Sequence, residues 1–302
     1  MSRMAVCGLI NVETTLRVEG FPLDYSPVRY PFFGIDSSVS GVGYNLALAL
    51  TTLGDEVRLF SLIGADQAGF LVRRVLQQQE IADANVLDRD TPTAQSVVLY
   101  DANGRRMIFT ALKAMQEQVY PTAPFIASLP GCELAVLCNI NFARPLLALA
   151  RAAGVPVATD VHAIHDLEDD YNRDYMAAAN ILFMSHERLP CAPEAWARRV
   201  LARYGPDILV IGLGAAGALL AVAADNYVGR VPAVAVRPVV STVGAGDALF
   251  ASFCHFYGRD GDPYGALRRA VVFAGHKIGA RGGAAGFLTE PALNLLFKQD
   301  GG

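Results

Sequence analysis

Ser241-Thr-Val-Gly-Ala-Gly-Asp247, running on into Ala248-Leu-Phe-Ala-Ser-Phe253, is the stretch around which the rest of the chain is organised. It follows a β-like run, Ala233–Val240, and opens an apolar helix expected over Ala248–Tyr257. Small residues let a backbone come close to a ligand, and the N–H groups at a helix start attract anions. Asp247 falls in the first helical turn, where a carboxylate is also a plain stabiliser of the helix N-terminus. By itself the stretch is therefore either an ordinary glycine turn with a favourable Asp or an anion-binding turn with a carboxylate behind it.

Outward from this turn, apolar strand-like runs alternate with amphipathic helical runs. Strands are expected at Met4–Ile10, Val57–Ile63, Leu134–Cys138, Val155–Thr159, Ile181–Met184 and Ile208–Ile211. Helices are expected at Tyr44–Leu53, Ala68–Gln79, Pro145–Ala153, Ala192–Tyr204, Ala248–Tyr257 and Tyr264–Ala280. Continuous apolar strands separated by helices argue for a mostly parallel sheet covered on both faces, an α/β fold. Two stretches break the rhythm. Thr14–Ser40 is rich in aromatics and prolines, and Thr93–Thr110 holds two β-type runs around Asp101-Ala-Asn-Gly104, a hairpin signal. Both are expected to lie outside the main sheet as a small β appendage, with segments at about 14–40 and 93–113 of a single domain spanning 1–302.

With 302 residues, 53% of them hydrophobic and 18% charged, the chain has ample material for one large core and little for long disorder. A net charge of −4 without clustered Lys and Arg argues against nucleic-acid and anionic-membrane partners. The five cysteines form no CxxC pair, and most lie in apolar runs, as expected of reduced thiols in a cytoplasmic protein. No apolar stretch is long enough to span a bilayer, and the N-terminus lacks a signal-peptide h-region.

Gly212-Leu-Gly214-Ala-Ala-Gly217 reads as GxGxxG after a strand, the form of a dinucleotide fingerprint. Two features oppose that reading. The next segment looks like a β-hairpin around Asp225-Asn226 rather than a helix, and no Asp or Glu lies between Asn226 and Gly246 to take a ribose. Asp160, His162, His165, Asp166 and Glu168 form a weak candidate metal cluster. Arg105 and Arg106 read as exposed turn charges.

GAGDALFASF resembles the C-terminal signature of the ribokinase, or PfkB, family of carbohydrate kinases. Other segments agree in chain order. Gly8-Leu-Ile-Asn11-Val-Glu13, Gly41-Val-Gly43-Tyr-Asn45, Leu53-Gly54 and Ile63-Gly64-Ala-Asp66 with Gly69 are similar to the family's N-terminal patterns, so the resemblance runs from Gly8 to about Gly286. It implies a three-layer α/β/α sandwich with a small β-sheet lid and an ATP-dependent phosphotransferase acting on a hydroxyl of a small sugar. A nucleoside kinase of the same fold and a non-catalytic sensor remain alternatives.

The resemblance makes Asp247 the general base and Gly244, Ala245 and Gly246 the hole for the transferred phosphoryl group. It puts Asn11, Glu13, Gly41, Gly43 and Asn45 on the acceptor, and Gly212, Gly214, Gly217, Thr242 and Gly275 on ATP. Glu187 falls to Mg2+, and a homodimer would form through the lid. The chain departs from the family pattern at Glu13, Ser40, Met184 and Ser241. Glu13 stands where an Asp is usual, Ser40 where a Gly is, and Met184 where an Asn is. Ser241 replaces an Asp that serves a monovalent-cation site, so weak or absent activation by potassium is expected.

Overall fold

The continuous apolar strands lie where both of their faces are covered. The computed structural model describes residues 2–299. In chain order its elements are β1 (Arg3–Cys7), β2 (Asn11–Arg17), β3 (Ile35–Ser40), α1 (Val42–Leu53), β4 (Glu56–Gly64), α2 (Gln67–Gln78), β5 (Val86–Arg89), β6 (Gln95–Tyr100) and β7 (Arg106–Ala111). There follow α3 (Thr122–Ser128), β8 (Leu134–Leu137), α4 (Arg144–Ala152), β9 (Val157–Asp160), α5 (Arg173–Ala178), β10 (Ile181–Ser185), α6 (Pro193–Tyr204) and β11 (Ile208–Gly212). The last are β12 (Ala218–Val222), β13 (Tyr227–Val231), α7 (Ala245–Asp260), α8 (Pro263–Lys277) and α9 (Glu290–Gln299).

A nine-stranded sheet has the order β13-β12-β11-β10-β9-β8-β1-β4-β5. Its strands are parallel from β11 to β5, and β12 and β13 are added antiparallel at one edge. Side chains alternate between two cores. Met4 and Val6 join helices α1, α7, α8 and α9 on one face, while Ala5 and Cys7 join α4, α5 and α6 on the other. The result is the expected three-layer α/β/α sandwich. Local chemistry marks the helix ends: Asp66 caps α2 by accepting from the Gly69 N–H, and α1 ends at Gly54 in the left-handed region.

The four-stranded sheet, ordered β3-β2-β6-β7, stands apart from the large one. The chain enters it directly from β1, turning at Gly8–Ile10, so the expected single strand Met4–Ile10 is split and the appendage begins at Asn11. A Cβ on Gly8 would lie 2.4 Å from Cys138 Sγ, which leaves no side-chain room at the turn.

The expected run Ala233–Val240 is not a strand. Pro232 and Pro238 cannot donate to a ladder. The segment packs instead against α8, with the Val240 and Ser241 N–H groups donating to the Ile278 carbonyl. Strand β5 and helices α3, α5 and α9 are additions to the expected elements.

Candidate active site

Three loops and the four-stranded sheet meet at the N-terminus of α7. Gly244 holds φ 76° and caps the helix. The Ala245 N–H is taken by the Thr242 carbonyl and that of Ala248 by Gly244. Among the described residues the Gly246 and Asp247 N–H groups have no acceptor, which leaves two donors for an anion.

The two glycines of the turn differ. A Cβ on Gly244 would lie 2.3 Å from the Gly283 carbonyl oxygen, whereas one on Gly246 would meet nothing within 4 Å. Gly244 is therefore required by packing against the 282–283 loop, and Gly246 faces open space.

Asp247 is joined to the N-terminal motif across the whole chain. Asn45 Nδ2 donates to Asp247 Oδ2 at 2.6 Å, and Asn45 Oδ1 accepts from Ser40 Oγ at 3.3 Å. Ser40 Oγ also lies 3.4 Å from Glu13 Oε2, and the Gly283 N–H donates to Glu13 Oε1 at 3.3 Å. Burial pushes the Asp247 carboxyl above the usual carboxylate range; Asn45, His162 and Lys277 oppose the rise and Asp160 adds to it. Burial likewise raises Glu13, against the pull of Gly283 and Ser40 and with a further push from Asp247.

Each remaining expectation has a definite place. Asn11 is buried, donates to Ser96 Oγ at 3.0 Å, and keeps an Oδ1 with no partner among the described residues. Gly41 and Gly43 owe their identity to packing, since a Cβ on either would sit 2.5–2.6 Å from the backbone of Leu9 or Gly8. Gly275 lies inside α8, where a Cβ would be 2.4 Å from the Val234 carbonyl, so its need for glycine is also packing. Gly212, Gly214 and Gly217 form the short turn from β11 into β12, a strand and not a helix, which removes the dinucleotide reading. Met184 is buried, its sulfur accepting from Trp196 Nε1.

Thr242 Oγ1 accepts from Arg106 Nη1 at 3.1 Å, and Arg106 also pairs with Glu187 at 3.6 Å. Arg106 is thus no free turn charge: it links the β6–β7 hairpin to the loop before α7 and to Glu187. Among the described residues no group of three His, Cys, Asp or Glu side chains could hold a metal, so the cluster around Asp160 does not assemble. Asp160 and His162 stay together, 3.6 Å apart.

Sequence reading missed Lys277. Its only signal was a basic residue in the last turn of α8, yet it is fully buried. Its ammonium donates to the Gly282 carbonyl at 2.6 Å and to the Val243 carbonyl.

A family model described as pfkB family carbohydrate kinase matches residues 1–290. The chain belongs to the pfkB family. Among its pfkB relatives, a deoxyribokinase of Salmonella typhi is 35% identical over 292 residues, covering 92% of this chain and 93% of its own. An acarbose 7(IV)-phosphotransferase of Actinoplanes sp. is 28% identical over 272 residues, 89% of each chain. The solved structure of a microbiome-derived acarbose kinase, Mak1, superposes with a TM-score of 0.87 at 26% identity, covering 98% of this chain and 99% of that one. The ribokinase-like fold and the pfkB sugar-kinase activity, phosphoryl transfer from ATP to an alcohol group, follow from this membership. Among the described residues no helix is long and apolar enough to cross a membrane.

Proposed function

We propose that the acceptor is a neutral sugar whose hydroxyl is deprotonated by Asp247. The hydroxyl oxygen attacks the γ-phosphorus of ATP, the bond to the ADP oxygen breaks, and the proton passes to Asp247. The Gly246 and Asp247 N–H groups would receive the transferred phosphoryl oxygens. The observation that carries this reading is the 2.6 Å bond from Asn45 to Asp247, which brings the acceptor-side motif onto the carboxylate beside the anion hole.

Glu13, Asn45 and the unpartnered Asn11 Oδ1 are the groups for acceptor hydroxyls. Two carboxylates facing the acceptor disfavour a phosphorylated sugar, because like charges repel in a low-dielectric site. ATP would lie along Gly212–Gly217 and Thr242. Glu187 is the carboxylate that would help to hold Mg2+ on that side, and the ion would supply charge neutralisation for phosphoryl transfer. The four-stranded sheet would act as a lid excluding water, which limits ATP hydrolysis.

The lid's register separates two faces. Glu13, Val98, Arg106 and Ile108 share the face toward the site, while Ile35, Val97, Met107 and Phe109 share the other. The four outward apolar residues are 42–56% exposed, and β3 and β7 are free edges, which supports a homodimer through the lids. The free cysteines, three of them buried, support a cytoplasmic setting.

A panel of ATP turnover with 2-deoxy-D-ribose, ribose, fructose, oligosaccharides, nucleosides and sugar phosphates tests the assignment. Turnover with sugar phosphates alone would reject the neutral acceptor. A preference for nucleosides would favour the second reading, in which Tyr25, Tyr30, Phe32 and Phe33, all largely exposed, stack a base.

A further inference from the structure

Lysine is almost never fully buried unless its charge has a task that solvent cannot perform. Lysines in the last turn of a helix ordinarily reach outward, where the ammonium stays hydrated and still meets the helix dipole. Lys277 does the opposite. It is the last residue of α8, with a relative exposure of 0%, and its side chain runs inward. It forms no ion pair within salt-bridge distance among the described residues. Its partners are two backbone carbonyls, Val243 and Gly282.

Those carbonyls belong to the two segments that build the site. Val243 immediately precedes Gly244, the cap of the anion-binding turn. Gly282 immediately precedes Gly283, whose N–H holds Glu13 and whose carbonyl lies against Gly244. Gly283 is also packed so closely on Ser40 and Asn45 that a Cβ there would come within 2.5 Å of Ser40 Oγ. The 282–283 loop is thus the spacer between the acceptor carboxylate and the phosphate hole, and one cation fastens it to the turn. No other side chain donates to either carbonyl among the described residues.

We propose that Lys277 is a positioning residue for phosphoryl transfer: its buried ammonium is a fixed internal cation that clamps the 282–283 loop to the Val243–Gly246 turn. It thereby sets the distance between the Glu13-bound acceptor and the phosphoryl hole. The proposal rests on the reading of Gly244–Gly246 as that hole. It also gives the carbonyls of Val243 and Gly282 an occupant, so a monovalent ion from solution has no vacancy there.

The charge is electrostatically engaged with the site. Burial depresses the ammonium to about 8, while Asp247 on α7 and Glu13 on β2 favour its charged form; Arg237, from the segment before Val240, and Arg106 on β7 disfavour it. Methionine has nearly the length of lysine and no charge, so Lys277→Met removes the cation with little loss of volume.

The experiment compares the parent chain with K277M and K277A, using ATP and 2-deoxy-D-ribose, or whichever neutral sugar turns over best. Melting temperature is measured alongside, and all assays run in choline-only buffer. K277M should lose kcat on the order of 10²-fold, as removal of one preorganised donor does. Its KM for the acceptor should rise, while the KM for ATP stays near the parent value. Ammonium or methylammonium should restore turnover in K277A saturably, and neither these ions nor potassium should activate the parent.

A K277M chain that turns over as the parent does would overturn the proposal. So would a K277A chain with lost activity that no small cation restores. If neither variant folds, the cation titration of the parent still decides, because saturable activation by potassium means that the carbonyl site is not filled by Lys277. Gly246→Val keeps the two readings apart. An active G246V removes the phosphoryl-hole reading itself, whereas an inactive G246V beside an unimpaired K277M removes only the role of Lys277.

Discussion

The nine-stranded sheet and the four-stranded sheet each bring one carboxylate to the site, and they hold it in different ways. Asp247 sits on a helix packed into the larger core, with Phe250 and Phe253 fully buried on the same helix. Gly244, at the head of that helix, meets the Gly283 backbone too closely to admit a side chain. Glu13 sits on β2 of a sheet whose β7 strand is exposed along its whole length. It is placed by hydrogen bonds to Gly283 and Ser40 rather than by core packing. The contrast teaches where rigidity is needed. In the proposed assignment the base and the anion hole would be aligned before reaction, whereas the acceptor would enter and leave past the smaller sheet.

The strongest way to break this division is at the base. Asp247→Asn should lower kcat by about 10²–10⁴-fold with binding of ATP and acceptor near normal. Calorimetric titration against single-turnover rates measures both. Retained turnover would take Asp247 out of its role.

The paired glycines sharpen the comparison. Gly246→Val should reduce kcat on the order of 10²-fold with little change in melting temperature, since it fills open space over two donors. Gly244→Val should cost about 1–3 kcal/mol or more of stability, because it strains a positive φ and strikes Gly283. Equal melting temperatures for the two variants would contradict the geometry.

On the lid side, Glu13→Ala should raise the acceptor KM about 10–100-fold and leave the ATP KM nearly unchanged, as loss of a charged hydrogen-bonding group does. Equal effects on both would place Glu13 away from the acceptor.

The pH response separates function from stability. Lys277 holds its proton to about 8, below the ordinary 10.5, so kcat should decline as pH rises through 8. Stability should move the other way. Below pH 8 folded and unfolded chains are both protonated and the cost of burying the charge is fully present. Between about 8 and 10.5 the unfolded chain binds more protons, and stability rises. Melting curves for the parent and K277M across this window check the sign.

The smallest effect on chemistry belongs to the outer lid face. Phe109→Asp should yield a monomer in light scattering with parent-like melting behaviour. A parent chain that is already monomeric would refute the lid dimer.

Much of the scaffold was legible because period and punctuation agree. The apolar strands, Asp66 before α2 and the glycine turn before α7 all express local rules. The failures share a cause in long-range packing. Ala233–Val240 has β composition, but its prolines and the backbone of α8 deny it a partner strand. The glycines at 41, 43 and 275 carry a second constraint that no local pattern reveals, since neighbouring backbones leave no room for a side chain. Arg106 reads as an exposed turn charge and Lys277 draws no notice, since nothing local reveals that one spans to Thr242 and the other turns inward.

The span of the site's bonds has a bearing on how the protein is made. Asn45 and Asp247 are 202 positions apart, and Glu13 and Gly283 are 270 apart. Closing such long loops comes late, after locally connected strands and helices have condensed. In the proposed assignment, a chain growing from its N-terminus carries the residues offered to the acceptor early and those offered to the phosphoryl group last. The half-made protein would then lack Asp247 and the turn before it, and with them the means to transfer a phosphoryl group.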